Sequence, residues 1–241
     1  MARVFSEREN VNKNCLSYWY PLIAPHVPTP RTEIVRSGSL FALFDNEIPE
    51  GWCELLAALN TARGKIGGDC FLRTGQGSGK HDWSRTCFLP ETADIAKHVY
   101  ALAEWSEMVD FMGLPHDVWC VREMLPTMPI GICPLYGGMP VCREFRFFVE
   151  NGEVKCFHPY WPLEALVDGG LAGDFPEGWY ETFCRLDDPE PKLQAQVVSS
   201  VVPGAWSVDI LETKRGWVVT DMAEAERSFH WPECQMVVEA K

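Results

Sequence analysis

The sequence predicts an α+β protein in which antiparallel strands are combined with a few helices. Three units predict it: a strand–loop–strand over 69–89, a hairpin over 141–162 and a second hairpin over 206–226. Each joins two short runs rich in β-branched or aromatic residues through a turn rich in glycine or polar residues, which is typical of antiparallel pairing. The charged residues inside these strands are the candidate functional residues.

Composition limits what the protein does. The chain has 241 residues, 46% of them hydrophobic, which is enough for one large domain or two small lobes that share a cleft. The formal net charge of −13 disfavours nucleic acid as the main partner, because a duplex-binding protein needs a basic surface. The ten cysteines form no C-x-x-C motif, so we interpret them as reduced, buried thiols rather than as a zinc site or a disulfide scaffold.

The chain contains no segment that predicts membrane association. No apolar run reaches the length needed to cross a bilayer. The N-terminal sequence MARVFSEREN lacks the apolar core of a signal peptide. We therefore expect a cytoplasmic protein without a membrane partner.

Helical periodicity is confined to a few segments. Residues 1–36 are expected to be irregular apart from a short strand over 32–35. Apolar residues at helical spacing predict helices over 52–63 and 91–112, and a further helix is expected over 192–202. The acidic stretch 163–190 is expected to be loop-like, either a surface excursion or a substrate lid.

The first strand–loop–strand unit contains a glycine-rich loop, Thr74–Lys80, with glycines at 75, 77 and 79. Such loops let backbone N–H groups close on phosphate oxygens, and Arg73 and Lys80 would add positive charge. The spacing is neither that of a Walker A loop nor that of a Rossmann fingerprint. A plain hairpin turn explains the glycines equally well.

Two later strands carry charges. The strand over 118–125 contains Arg122 and Glu123, which either pair locally or face a cleft. In the hairpin over 141–162, Glu144 and Arg146 share one strand face because side chains alternate along a strand. A face that carries both charges more often lines a site than a core.

The hairpin over 206–226 is unusually acidic. Asp209 interrupts its first strand, Asp221 ends its second strand, and Glu224 follows. Buried carboxylates are costly unless they are paired or bound to a metal, and oxygen ligands suit Mg²⁺ or Mn²⁺. From this stretch alone, solvated strand ends of an acidic protein are the favoured interpretation.

The order of these motifs resembles the ATP-grasp superfamily. The closest resemblance is to its compact clade of phage and bacterial proteins, which is related to the eukaryotic assembly factor for translation initiation factor 2. FLRTGQGSGKHDW resembles the phosphate-loop hairpin, VREML the hinge strand, REFRFFV a strand whose arginine reaches the phosphates, and SVDI and VVTDMAE the metal-bearing strands. The resemblance, which runs from about Gly68 to Cys234, implies antiparallel lobes over 1–125 and 126–241 that enclose a nucleotide cleft.

The resemblance also implies roles for residues of the phosphate site. Arg73 stands where the family has a lysine that touches the α-phosphate, and Lys80 stands where a second basic loop residue is common. The implied catalytic residues are Arg146 and Lys80. The implied ATP-binding residues are Arg73, Lys80, Arg122, Glu123, Met124, Leu125, Arg146 and Lys155, and the backbone around Glu123 to Leu125 would bind the adenine edge.

The implied metal site departs from the family in one position. Asp209 and Asp221 match the acidic residues that hold Mg²⁺ or Mn²⁺. Ala223 stands where the family has an asparagine, so Glu224 is expected to substitute as a ligand.

The function that the resemblance implies is an ATP- and Mg²⁺-dependent ligase. It would join a carboxylate to an amine or similar nucleophile through an acyl-phosphate, with a peptide or protein among the candidate substrates. One alternative is an assembly chaperone that binds ATP without ligation. A third, an RNA ligase or other nucleotidyl transferase, is prompted by Lys80-His81-Asp82-Trp83, but Trp83 stands where those enzymes need glycine.

Overall fold

The first of two four-stranded sheets comes from the N-terminal half of the chain. The computed structural model describes residues 12–109, 113–231 and 234. The strands of this N-terminal sheet are β1 (Thr32–Arg36), β2 (Cys70–Thr74), β3 (Phe88–Leu89) and β4 (Val118–Glu123). They are antiparallel neighbours in the order β1-β4-β2-β3.

The second four-stranded sheet comes from the C-terminal half. A small ribbon of β5 (Gly131–Cys133) and β6 (Met139–Val141) precedes it. The strands of the C-terminal sheet are β7 (Glu144–Glu150), β8 (Glu153–Pro159), β9 (Ala205–Thr213) and β10 (Gly216–Glu224). They are antiparallel in the order β10-β9-β7-β8, so β7 and β9 lie at the centre.

In the described part of the chain, six α-helices pack around the sheets. They are α1 (Leu16–Ile23), α2 (Trp52–Ile66), α3 (Ile95–Met108), α4 (Leu163–Asp168), α5 (Trp179–Cys184) and α6 (Glu190–Val201). Apolar residues of α2 and α3, among them Leu59 and Leu102, share a core with the N-terminal sheet. Apolar residues of α1 and α6, among them Trp19 and Val198, share a core with the C-terminal sheet. The sheets are thereby left with faces that meet at a cleft.

Both predicted hairpins are confirmed. Asn151 and Gly152 have φ values of 53° and 80°, the backbone that a two-residue turn needs to match the twist of its strands. Gly216, with φ of 99°, begins β10 after the turn of the acidic hairpin. The predicted α+β architecture with antiparallel sheets is therefore correct.

The N-terminal segment was predicted to be irregular, and the structure corrects this. Residues 16–23 form α1 even though Pro21 lies inside the helix. Leu16, Trp19 and Ile23 are fully buried on one side, and this burial outweighs the hydrogen bond that proline cannot donate. Helix α1 belongs to residues 1–125 but packs on the C-terminal sheet. The proposed lobe boundary at 125/126 stays a prediction.

Two other expectations differ from the structure. The stretch 163–190 contains α4 and α5 rather than only loop, and Leu166 and Phe183 are buried in a third apolar cluster with Trp161. Each of these helices has six residues, too few for a helical period to be visible in the sequence. Helix α3 ends at Met108, and the expected continuation over 110–112 lies outside the described residues.

Candidate functional site

A cleft lies between the two four-stranded sheets. Its walls combine charged groups with apolar and aromatic side chains. They are Pro30, Phe71, Arg73, Ser78, Lys80, Trp83, Arg122, Glu123, Met124, Leu125, Thr127, Met139, Pro140, Cys142, Glu144, Trp161, Leu211, Thr220 and Asp221.

Arg73 and Asp221 pair across the cleft. Arg73 ends β2 in the N-terminal sheet, Asp221 lies on β10, and Arg73 Nη1 is 2.9 Å from Asp221 Oδ1. Burial raises the pKa of Asp221, but the charge and hydrogen bond of Arg73 outweigh it and hold the pKa below its usual range. The Asp221 side chain remains 35% exposed, whereas that of Arg73 is 4% exposed. The carboxylate is thus ionised and open to the cleft.

Lys80 of the glycine-rich loop and Glu144 of the C-terminal sheet form a second pair. Lys80 Nζ lies 3.4 Å from Glu144 Oε2, and Thr220 Oγ1 donates a 3.0 Å hydrogen bond to Glu144 Oε1. Burial lowers the pKa of Lys80, but the surrounding anions, Glu144 first among them, raise it well above its usual range. Burial raises the pKa of Glu144, and its pairing with Lys80 only partly offsets this.

Arg146 and Asp209 form a third pair within the C-terminal sheet. They are direct cross-strand partners on β7 and β9. Both guanidinium bonds, Nε to Oδ1 and Nη2 to Oδ2, are 2.8 Å long, a two-pronged geometry that fixes both side chains. Arg146 Cζ lies 4.8 Å and Lys80 Nζ 4.6 Å from the centre of the Tyr160 ring, so one aromatic ring contacts both cations.

Arg122 is a buried cation without a carboxylate partner among the described residues. Its Nη1 donates a 2.6 Å bond to Thr220 O and its Nε a 3.2 Å bond to Thr32 Oγ1, while Nη2 is buried without a hydrogen bond. Burial and the neighbouring charge of Arg73 lower the pKa of Arg122 to about 10. An anion in the cleft would relieve this unfavourable state.

A β-bulge sets the geometry of the acidic hairpin. Val219 pairs with Ile210 and Asp221 pairs with Asp209, which leaves Thr220 as the extra residue of β10. Bulges re-aim side chains and are common beside active sites. Here the bulge brings both Thr220 and Asp221 to the cleft, although strict alternation would place them on opposite faces.

The glycine-rich loop is tightly packed. The Gly75 N–H donates to Val118 O, and the Gly77 N–H donates to Thr74 Oγ1. A Cβ on Gly77 would lie 2.4 Å from Trp105 Cζ3. The first half of the loop is therefore bonded within itself and to β4, and the second half, through Ser78 and Lys80, lines the cleft.

The predicted adenine hinge lies at the end of β4. The Glu123 N–H donates to Arg31 O, and Leu125 O accepts from the Thr127 N–H. The Glu123 carboxylate accepts from the Arg31 N–H, and Arg31 Nε lies 3.4 Å from Oε2. Met124, which lies between Glu123 and Leu125 in the chain, also lines the cleft.

Two sequence-predicted residues lie elsewhere in the structure. Lys155 is exposed, with Nζ 2.6 Å from Glu153 Oε2, and it is the extra residue of a bulge on β8. Glu224 accepts a 3.0 Å bond from Asn14 Nδ2 and lies 3.7 Å from Lys13 Nζ. Their assigned roles in ATP and metal binding stay predictions that these contacts do not support.

Sequence reasoning did not assign Glu144, Tyr160 and Thr220 to the site. Glu144 was recognised as sharing a face with Arg146, which was the available signal. Tyr160 and Thr220 gave none, because an aromatic residue after a strand and a threonine within one are ordinary.

In the described part of the chain all ten cysteines are free thiols, and seven of them are buried. Among the described helices, none combines the length and apolar character that a bilayer crossing requires.

The sequence matches no protein-family model and no curated protein. Among solved structures, C-terminally truncated Cdc123 from Schizosaccharomyces pombe is similar with a TM-score of 0.56 and 16% identity, over 94% of this chain and 93% of that chain. A second Cdc123 structure from that organism has a TM-score of 0.53 over the same shares. The ATP-grasp ligase PsnB, complexed with precursor peptide PsnA2 and AMPPNP, has a TM-score of 0.45 and 13% identity, over 88% of this chain and 49% of that chain.

At 16% sequence identity, the similarity to Cdc123 concerns the fold alone. The predicted resemblance is confirmed at the level of fold by the two Cdc123 structures. The chain is an α+β protein whose fold is similar to that of Cdc123 along nearly its whole length.

Proposed function

We propose that this protein binds Mg²⁺-ATP in the cleft and transfers the γ-phosphoryl group to a carboxylate, which an amine or similar nucleophile then attacks. One observation carries the proposal. Three cations, Arg73, Lys80 and Arg122, line one cleft of a protein whose net charge is −13, and Arg122 Nη2 is buried there without a hydrogen bond. A buried guanidinium without a carboxylate partner favours an anionic ligand.

The ion pairs suggest how the ligand is accommodated. Asp221, Glu144 and Asp209 each pair with one cation. This pairing lowers the free-energy cost of burying both charges. Phosphate oxygens would take over the cations, beginning with Arg122 Nη2, which has no partner to release. The freed carboxylates would then be available as oxygen ligands.

The carboxylates fit a hard cation such as Mg²⁺ by their chemistry. Asp221 is the most open, because its side chain is 35% exposed and its hydrogen bonds to Arg73 and to the Met222 N–H both use Oδ1. Asp209 would have to release Arg146 before binding a metal, since both its oxygens are engaged. Bound Mg²⁺ would neutralise charge on the phosphate oxygens.

The residues of the chain would position the reactants and exclude water. Arg73 and Lys80 would hold phosphates from the N-terminal lobe, and Arg146 from the C-terminal sheet. An oxygen of the substrate carboxylate attacks the γ-phosphorus, and ADP leaves with the bridging oxygen. The nucleophile then attacks the acyl carbon, the bond to the phosphate oxygen breaks, and inorganic phosphate leaves.

Product analysis tests this proposal against the alternatives. The protein is incubated with Mg²⁺-ATP and a panel of amino acids and peptides, and ADP, AMP and phosphate are measured. A ligase releases ADP and phosphate in step with a new amide. The second candidate, an assembly chaperone, is favoured by the full-length similarity of fold to Cdc123 and binds ATP without releasing product with any member of the panel.

AMP as the product would support the third candidate, a nucleotidyl transferase. That reaction needs a neutral lysine as the attacking amine. The anions around Lys80 raise its pKa and keep it as the ammonium ion, which disfavours this chemistry. We therefore rank it last.

A further inference from the structure

Two thiols and an imidazole meet on the C-terminal sheet, apart from the carboxylates of the cleft. Cys156 lies on β8, while His230 and Cys234 follow β10 and come back to that strand. The three ligand atoms all lie within 4.8 Å of one another, and Cys156 Sγ is 3.1 Å from His230 Nε2. The fold thus brings Cys156 to His230 and Cys234, which lie more than 70 positions later in the chain.

The neighbouring rings hold the imidazole in place. The His230 ring lies 4.2 Å from that of Phe148, and the next residue, Trp231, stacks on His158 at 5.0 Å between centroids. Cys234 Sγ lies 3.3 Å from Phe157 O, so Cys234 is also held against β8. The ligand atoms therefore belong to an ordered arrangement.

His158 adds an independent observation beside this cluster. Its Nδ1 lies 2.7 Å from Pro159 O, so Nδ1 carries the hydrogen and Nε2 carries a lone pair. This Nε2 is buried and has no donor among the described residues, and the ring lies 5.8 Å from that of His230. A cation nearby would compensate the buried lone pair.

We propose that Cys156, His230 and Cys234 bind a soft divalent cation, with Zn²⁺ as the expected ion, and that this metal fastens the C-terminal segment to β8. Thiolate and imidazole ligands select Zn²⁺ over Mg²⁺. In a tetrahedral site with Zn–S bonds of about 2.3 Å, the two sulfurs lie about 3.8 Å apart, which the cluster reaches with small movements. The fourth position falls to water or to His158.

The site would connect the C-terminal segment to the cleft. Arg146 Nη1 donates a 3.3 Å bond to Phe229 O, directly before His230. Arg146 is also the cross-strand partner of His158, so the metal cluster and Arg146 lie on the same face of the sheet. A metal that fixes residues 230–234 would thereby fix the backbone that supports Arg146.

Metal content and a cobalt spectrum test the proposal on the full chain. The protein is purified in reducing buffer without chelator, and bound zinc is measured by elemental analysis. We expect one zinc per chain, and a thiolate-to-metal charge-transfer band when Co²⁺ replaces it. Cys156→Ser and Cys234→Ser should each lower zinc affinity at least about tenfold, whereas Cys53→Ser, an exposed thiol, should leave it unchanged.

Thermal melts distinguish metal loss from simple unfolding. A zinc chelator should lower the melting temperature of the wild type and of Cys53→Ser, and should leave that of folded Cys156→Ser unaffected. Absence of stoichiometric zinc with no Co²⁺ band, equal zinc loss in Cys53→Ser, or a Cys156–Cys234 disulfide in the reduced protein would each overturn the proposal. Mg²⁺-ATP binding is scored separately in the same samples, so failure here does not count against the proposed function.

Discussion

Arg73 and Asp221 form an ion pair between the two sheets, with Arg73 Nη1 2.9 Å from Asp221 Oδ1. The arginine comes from the N-terminal sheet and the carboxylate from the acidic hairpin of the C-terminal sheet. Both residues line the cleft, so the groups that would hold phosphate and metal are already in contact.

Asp221→Asn should preserve the shape of the side chain while removing its charge. We expect the Mg²⁺-dependent part of ATP binding or turnover to fall at least about tenfold, because stabilisation by a metal's charge is worth several kcal/mol. ATP binding is measured over a series of Mg²⁺ concentrations. Glu224→Gln is the matched control, since that carboxylate contacts Asn14 and Lys13, and an equal loss in it would restore Glu224 as a ligand.

The same pair predicts a pH dependence of stability. The folded-state pKa of Asp221 lies below its usual value, so the ion pair contributes fully above pH about 4 and is lost as the pH falls further. The difference in melting temperature between wild type and Asp221→Asn should be constant from pH 7 to about pH 5 and shrink below about pH 4. A difference that stays unchanged in acid would show that the pair does not stabilise the protein.

Loss of single cations should weaken ATP handling without unfolding the chain. Lys80→Ala and Arg146→Ala each remove a charge-assisted contact worth roughly 1.5–3 kcal/mol, so the Kd for ATP or kcat/KM should change about tenfold or more. Arg185→Ala, an exposed arginine paired with Asp187, is the control. Circular dichroism checks folding, and a variant that unfolds would identify its residue as structural.

Adenine should be preferred over guanine at the end of β4. Met124 lines the cleft between Glu123 and Leu125, whose backbone groups bond to Arg31 and Thr127, so the Met124 backbone is the predicted reader of the base edge. We expect Mg²⁺-ATP to raise the melting temperature more than Mg²⁺-GTP at equal millimolar concentration. Equal shifts would mean that the base is not read there.

Packing of the glycine-rich loop gives a stability prediction. Gly77→Ala would place a Cβ 2.4 Å from the rigid ring of Trp105, so we expect a loss of about 1–3 kcal/mol in the free energy of unfolding. Gly64→Ala is the control, because no atom lies within 4 Å and the position is inside α2. That change should stabilise by about 0.4–1 kcal/mol in denaturant titrations. Unaltered stability in Gly77→Ala would show that the loop is loosely packed.

The sequence predicted which residues form strands and share a strand face better than it predicted which strands pair. Alternation along β7 put Arg146 on one face with Glu144, and Asp209 interrupts an apolar pattern on β9, but the roles predicted for Arg146 and Asp209 came from the family resemblance. Their direct pairing was not predictable, since β7 and β9 are separated in the chain by β8 and three helices. The bulge at Thr220 was also hidden, because a bulge depends on register with the neighbouring strand and not on composition.

Long-range contacts likewise decided which candidates lie at the cleft. Lys155 and Glu224 belong to the right strands, yet each is engaged by a partner away from the cleft lining. The cysteine pattern gave no sign of a cluster, because Cys156 and Cys234 are distant in sequence. Such features depend on how the chain returns on itself, which no local pattern encodes.

Titration of the full chain with ATP, with and without Mg²⁺, tests the central claim most directly. Calorimetry of the wild type should show saturable binding of one nucleotide per chain that weakens when Mg²⁺ is removed. Arg122→Gln should weaken this binding, since it removes the buried guanidinium that has an unpartnered Nη2. Absence of binding heat and of any thermal shift at millimolar Mg²⁺-ATP and neutral pH would contradict the assignment of the cleft to a nucleotide.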